Sequence, residues 1–153
     1  MKKKDIFLYI FSFIIPFAAD RVSKYLVLHY LVAPYEIAPF FFLDFCINRG
    51  ISWGLLHSEN SLFFHFITVL VGAVIVGLVW HTIHRIRECK VVFGEFLVLS
   101  GALSNMIDRY YYQGVVDFIL ITWRGWMFPT FNIADVAIVI GVVVMMFTAA
   151  REP

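Results

Sequence analysis

The sequence predicts an all-α membrane protein: four transmembrane helices, a small β-like outer segment and an interfacial link. Three observations carry this. Of 153 residues, 61% are hydrophobic and only 15% charged, against about a half and about a quarter in an ordinary soluble domain. Mean hydropathy is +0.84. Four apolar stretches have the roughly 17–25 residues that a helix rising about 1.5 Å per residue needs to cross some 30 Å of hydrocarbon. The length suits one domain, and a formal charge of +1 offers no broad basic surface, which excludes a nucleic-acid role.

The first stretch covers residues about 6–28, the second 62–80, the third 91–107 and the fourth about 133–150. Ala33-Pro34 and the polar run His57-Ser-Glu-Asn-Ser61 delimit the segment between the first two. Within it, Phe40-Phe-Phe-Leu-Asp-Phe is too short to span, and its aromatic bias predicts a small interfacial strand unit. Between the third and fourth stretches lies a link over 109–131, with Tyr110-Tyr-Tyr, Trp123 and Trp126. Tyr and Trp favour the headgroup level, so this link is expected to lie along the outer face as an anchor and to roof any site beneath it.

Cationic residues set the orientation. Lys2, Lys3, Lys4, Arg85, Arg87 and Lys90 are six of the twelve Lys and Arg, and Arg151 lies at the far end, so both termini are expected on the cytoplasmic side. Arg21, Lys24, Arg49, Arg109 and Arg124 run against that bias, which points to carboxylate or backbone partners holding them. Lys2–Lys4, an apolar run and Phe17-Ala-Ala-Asp20 also resemble a cleavable signal peptide. Apolar character resumes at Tyr25-Leu-Val-Leu, however, and cleavage would remove one of only four helices. Cys46 and Cys89 fall on opposite sides of the bilayer and are not expected to pair. The five histidines are scattered, so no metal site is predicted, and His81 and His84 read as interfacial side chains.

Polar residues at membrane depth carry the functional signal, because ionisable groups there usually line a cavity and do work. Asp20 lies 14 residues from Ile6, Asn105 lies 14 from Val91, and Asp135 lies 15 from Ala150. At 1.5 Å per residue each stands roughly 21–22 Å above the cytoplasmic edge, at one shared level. Helical spacing aligns Asp20 with Lys24, Asn105 with Asp108 and Arg109, and Asn132 with Asp135, each set on one side of its helix. The simpler alternative is a set of helix-end groups, with Asn132 capping the fourth helix and Asp108 paired to Arg109.

Five blocks occur in order: Asp20-Arg-Val-Ser-Lys24, Asn48-Arg-Gly-Ile-Ser-Trp-Gly54, Gly101-Ala-Leu-Ser-Asn-Met-Ile-Asp-Arg109, Gly114-Val-Val-Asp-Phe118 and Phe131-Asn-Ile-Ala-Asp135. Together they resemble the lipoprotein signal peptidases, or signal peptidase II, over the whole chain. The resemblance implies an aspartic peptidase of the bacterial inner membrane, active near its periplasmic face, that cuts diacylglyceryl-modified prolipoproteins before their lipidated cysteine. It assigns a catalytic dyad to Asp117 and Asp135. Supporting roles fall to Asp20, Lys24, Asn48, Gly50, Asn105, Asp108, Arg109 and Asn132. No cofactor is implied; the expected partners are prolipoproteins and membrane lipids, and the protein is expected to act as a monomer, with the β-like segment in the periplasm. The chain departs from the family pattern at Ser52 and Trp53, ahead of Gly54, and at Ser104, where a glycine is usual.

The chemistry agrees with that assignment on its own terms. Peptide hydrolysis needs a base for water and an acid for the leaving amine, and two neighbouring carboxyls sharing one proton supply both. No serine, lysine or cysteine sits in a recognisable nucleophile motif, Ser23-Lys24 and Ser104 being the nearest approach. Two rival readings are a small proton- or cation-coupled carrier, relaying charge through Asp20, Asp108, Asp117 and Asp135, and a noncatalytic assembly subunit. Against the carrier, the second helix has no carboxylate and the polar level lies in the outer third of the membrane, not near the midplane.

Overall fold

The computed structural model describes residues 3–50 and 60–152, with side chains from Ile6 onward. Ser52, Trp53 and Gly54 lie outside the described residues. Among the described residues four helices and four strands follow in the order α1 (Lys3–Tyr30), β1 (Tyr35–Ala38), β2 (Phe41–Asn48), α2 (Ser61–Arg87), α3 (Phe93–Tyr112), β3 (Val115–Trp123), β4 (Trp126–Met127) and α4 (Ile133–Ala149).

The four helices fall where the apolar stretches predict them. Two are long and apolar enough to cross a membrane, α1 over Ile6–Tyr30 and α2 over Ser61–Arg87, while the apolar α4 is shorter, at 17 residues. Helix α1 continues through Pro16, which removes one backbone donor. Asn60 starts α2 by accepting from the Leu62 and Phe63 amides at 2.9 and 3.3 Å. Arg85 and Arg87 sit on the last turns of α2 and not in a link, because helical pairing continues beyond the apolar window that ends at Trp80.

The prediction of an all-α chain with one short strand unit needs correction. A four-stranded antiparallel sheet runs in the order β1-β2-β3-β4. Its third strand is made from the segment expected to be an interfacial link. Val115-Val-Asp-Phe-Ile-Leu-Ile-Thr-Trp is β-branched and aromatic, and it pairs with β2 in the register Asn48↔Val115, Ile47↔Val116 and Cys46↔Asp117. Pairing with β2 overrides the reading from Tyr and Trp alone, and it puts Asp117 on a rigid inner strand.

Burial is inverted relative to a soluble protein. Asp20, Lys24, Ser100, Ser104, Asp108 and Asn132 are all fully buried, whereas Phe7, Val69 and Phe147 are 63%, 71% and 64% exposed. An outer surface of aliphatic and aromatic side chains around a polar centre suits hydrocarbon as solvent. At the end away from the sheet, Arg85 joins three segments. It lies 2.7 Å from Glu95 of α3, pairs with Glu152 at 2.5 and 3.0 Å, and donates to the Val91 carbonyl at 3.0 Å. Cys46 and Cys89 are both free.

Helices α3 and α4 touch backbone to backbone. A Cβ added at Gly94 would stand 2.7 Å from the Gly141 carbonyl oxygen, and one at Gly141 would stand 2.7 Å from that of Gly94. Any side chain there forces the helices apart, a strain of about 1–3 kcal/mol. Gly141→Val should therefore lower the melting temperature of the purified protein by several degrees. Gly77→Ala, inside α2 at a position with nothing within 4 Å, should not lower it, since alanine favours the helix over glycine.

Candidate active site

Five elements deliver the site. Helix α1 brings Asp20, Arg21 and Lys24; β2 ends at Asn48; α3 carries Ser104, Asn105, Asp108 and Arg109; β3 carries Asp117; Asn132 and Asp135 open α4. Lys24 is the hub. Its ammonium has three donors, and each meets an acceptor: the Asp20 carboxylate at 2.7 Å, the Asp108 carboxylate at 2.7 Å and Asn105 Oδ1 at 2.8 Å. Asp20 accepts further from Ser104 Oγ at 2.6 Å and the Ala134 amide at 2.9 Å, so it also neutralises the first turn of α4. Asp108 pairs with Arg21 at 2.5 Å and accepts from the Val116 amide at 3.2 Å, tying β3 to the helices. The polar groups placed at one level by counting are thus bonded to one another. Asp108 turns to Arg21 and Lys24, not to its neighbour Arg109, whose Nη2 donates to the Gly50 carbonyl.

That scaffold fixes the direction of three side-chain amides. Lysine only donates, so Asn105 must turn its oxygen to Lys24 and its Nδ2 to Asp135, at 2.9 Å. Asn48 accepts the Gly50 amide at 2.9 Å, which leaves its Nδ2 to donate to Asp117 Oδ2 at 2.9 Å. Asn132 accepts the Asp135 amide at 2.9 Å, which leaves its Nδ2 to donate to Asp117 Oδ1 at 2.6 Å. Asn132 is also the N-cap of α4, with Asp135 returning a bond to its backbone amide at 3.3 Å in a capping box. The helix-end alternative and the site reading therefore both hold for this residue: one side chain caps α4 and orders Asp117.

Asp117 and Asp135 line one cavity of about 100 Å³ together with Asn48, Gly50, Asn105 and Arg109. That is room for several water molecules, each needing about 10–15 Å³ of such space. Asp117 is 1% exposed. Burial pushes its carboxyl up to about 7, with the Asp135 charge adding to the rise and the Asn48 and Asn132 donors opposing it. At neutral pH the pair can thus hold one proton and one charge, the state in which a base and an acid coexist.

All ten residues singled out from the sequence belong to this network or its cavity. Arg21, Lys24 and Arg109, which run against the orientation bias, have the carboxylate and backbone partners it predicts. Sequence reasoning did not assign Arg21 or Ser104 to the site. Their signals were present: a cation beside Asp20, and a hydroxyl where the family pattern has glycine. The Ser104 hydroxyl is bonded to Asp20, so the departure is built into the polar core.

A family model described as signal peptidase (SPase) II matches residues 12–151. The lipoprotein signal peptidase of Buchnera aphidicola subsp. Acyrthosiphon pisum (strain Tuc7) is 33% identical over 150 residues, which are 95% of this chain and 92% of the relative. That of Coxiella burnetii (strain RSA 493 / Nine Mile phase I) is 34% identical over 143 residues, 88% and 86% of the two chains. A bacterial membrane enzyme solved by the in meso method at 2.3 Å resolution superposes with a TM-score of 0.72 at 30% identity, over 97% of this chain and 88% of that one. A second such enzyme, solved at 1.9 Å, gives 0.69 at 29% identity, over 98% and 94%.

Proposed function

The chain belongs to the signal peptidase II family, and from that premise we propose that Asp117 and Asp135 are its catalytic dyad, acting on lipid-modified substrates near the outer surface of the membrane. The protein is an aspartic-type peptidase that removes signal peptides from prolipoproteins. The relatives are peptidases, and nothing among them favours a carrier. The observation that carries the dyad is the set of three asparagine amides, each locked by a donor on its oxygen, that aim N–H groups at these two carboxyls.

One carboxylate takes a proton from water in the cavity, and the water oxygen attacks the scissile carbonyl. The protonated partner then gives its proton to the leaving amine of the lipidated cysteine. Asn48, Asn105 and Asn132 hold the charged oxygens in place, and Asp20, Lys24 and Asp108 hold the asparagines, the sheet and α4 in register. Gly50 supplies the carbonyl that anchors Arg109.

We propose that all four helices span the inner membrane of a bacterium as one domain, with both termini cytoplasmic. Under this reading the sheet and the dyad lie on the periplasmic side, and α1 is retained in the mature protein. Retention of α1 is supported by the burial of Asp20 and Lys24 at the centre of the network. The protein acts as a monomer, with membrane lipids as its surroundings and no cofactor.

Purified protein incubated with a diacylglyceryl prolipoprotein peptide and its unlipidated form should cleave only the former, before the modified cysteine. Equal cleavage of both would remove lipid recognition from the reading. The pH dependence has a defined sign. With Asp117 titrating at about 7, activity needs the pair singly protonated, so kcat/KM should fall above pH 7 by about tenfold per unit as the shared proton is lost.

A further inference from the structure

Asp135 is a wall between two spaces of opposite character. On one side is the polar cavity shared with Asp117. On the other is a groove of about 510 Å³ between β3 and the outer face of α4, lined by Ile121, Phe128, Val136, Val139 and Ile140, in which Asp135 is the only side chain with polar atoms among the described residues. Arg109 is likewise shared between the polar cavity and a third space. Beyond it lies a mostly apolar cleft of about 520 Å³ between α2 and α3, in which His65, Thr68 and Gln113 add polar side chains to Leu103, Met106 and Ile107. Shared residues thus link the spaces in a row, the groove to the dyad cavity at Asp135 and that cavity to the α2–α3 cleft at Arg109. Both outer spaces fall within the roughly 300–1,000 Å³ of ligand pockets.

We infer that the substrate lies across this row in one direction, with an acyl chain in the α4 groove and the signal-peptide backbone in the α2–α3 cleft. This rests on the dyad assignment above. The two halves of the substrate differ in what they demand. An acyl chain has no hydrogen-bonding groups, so a groove without polar partners accepts it at no cost. A peptide backbone in the same groove would leave each N–H and C=O unpaired, at several kcal/mol apiece in hydrocarbon.

The cleft has what a backbone needs. Arg109 is 5% exposed, and its Nη1 is buried with no partner among the described residues, although Nη2 is held by Gly50. The guanidinium also lies 5.6 Å from the Phe64 ring centroid, which fixes its plane. A buried donor left unpaired is costly, and a peptide carbonyl of the substrate entering the cleft is its fitting acceptor. Thr68 donates to the Phe64 carbonyl at 2.9 Å, which leaves its oxygen free to accept from a peptide N–H. The groove, by contrast, adds little affinity, because moving a chain from lipid into it gains no hydrophobic energy. Its contribution is direction, setting the lipidated cysteine on the Asp135 side of the scissile bond.

The test therefore reads position and not affinity. A diacylglyceryl peptide with a reduced, uncleavable scissile bond is made in two forms, one with a diazirine at an acyl terminus and one with a benzoylphenylalanine two residues before the cysteine. Each is photolysed with the wild-type protein in lipid bilayers, and the adducts are mapped by mass spectrometry. The acyl probe should mark the segment 128–140, and the peptide probe should mark 64–68 or 106–113. The reverse pattern, both probes in one space, or no adducts above those of a lipid carrying the diazirine would overturn the inference. Cleavage of the same peptide with a normal amide is measured alongside. Failure there counts against the dyad reading itself, whereas cleavage with misplaced adducts counts only against the substrate's direction.

Discussion

Asp117→Asn should lower turnover of lipidated prolipoprotein by about 10³-fold or more, the scale of a lost general acid–base group, while the protein still inserts and melts cooperatively. Asp135→Asn should do the same. Both replacements keep the shape of the carboxyl and one acceptor oxygen. At position 117 the new amide would turn one N–H₂ toward the Asn48 or Asn132 donor, which costs about 1 kcal/mol of hydrogen bonding and leaves the strand pairing with β2 intact. At position 135 the capping box loses half of its reciprocity, but the Asn132 cap on the Asp135 amide remains. Each variant removes the shared proton from the pair, so neither retains a base and an acid together. Single-turnover cleavage with melting curves on the same preparations checks both statements, and near-normal turnover by either variant would take that residue out of the dyad.

Lys24→Met should have the largest effect on stability, about 3–5 kcal/mol, because it leaves the fully buried carboxylates of Asp20 and Asp108 without their common cation. Asp108 keeps Arg21, but Asp20 keeps only neutral donors from Ser104 and Ala134. Adding Asp20→Asn to Lys24→Met should restore much of the melting temperature by removing the unpaired charge. Activity should stay low in the double variant. Without the ammonium, nothing dictates which way the Asn105 amide faces, and its N–H no longer has to point at Asp135. Recovery of fold without recovery of turnover separates the lysine's positioning role from its structural one. Full recovery of both would reduce Lys24 to a structural ion.

The helices and the site residues were legible in the sequence for different reasons. Apolar length alone locates α1, α2 and α4, since hydrocarbon tolerates few alternatives. Helical spacing and counted depth bring Asp20, Lys24, Asn105 and Asp135 to one level, and the bonds through Lys24 and Asn105 bear that out. The strand carrying Asp117 was not legible. Its identity depends on pairing with β2, 69 residues away at the Asn48–Asp117 contact, and no local period reports a partner that distant. The pairing of Asp108 with Arg21 was hidden in the same way. Arg109 is next to it in sequence, yet successive helical residues face different sides, and only the docking of α1 against α3 brings Arg21 within 2.5 Å.

A single turnover in H₂¹⁸O examines the central claim, that the two carboxyls direct water at the scissile carbonyl without forming a bond to it. Wild-type protein in bilayers, in excess over a diacylglyceryl prolipoprotein peptide, should release a signal peptide with one ¹⁸O in its new carboxyl group, while the carboxyls of Asp117 and Asp135 stay unlabelled and no acylated residue is trapped. Label entering either aspartate, or an acyl adduct on any side chain of the protein, would contradict it.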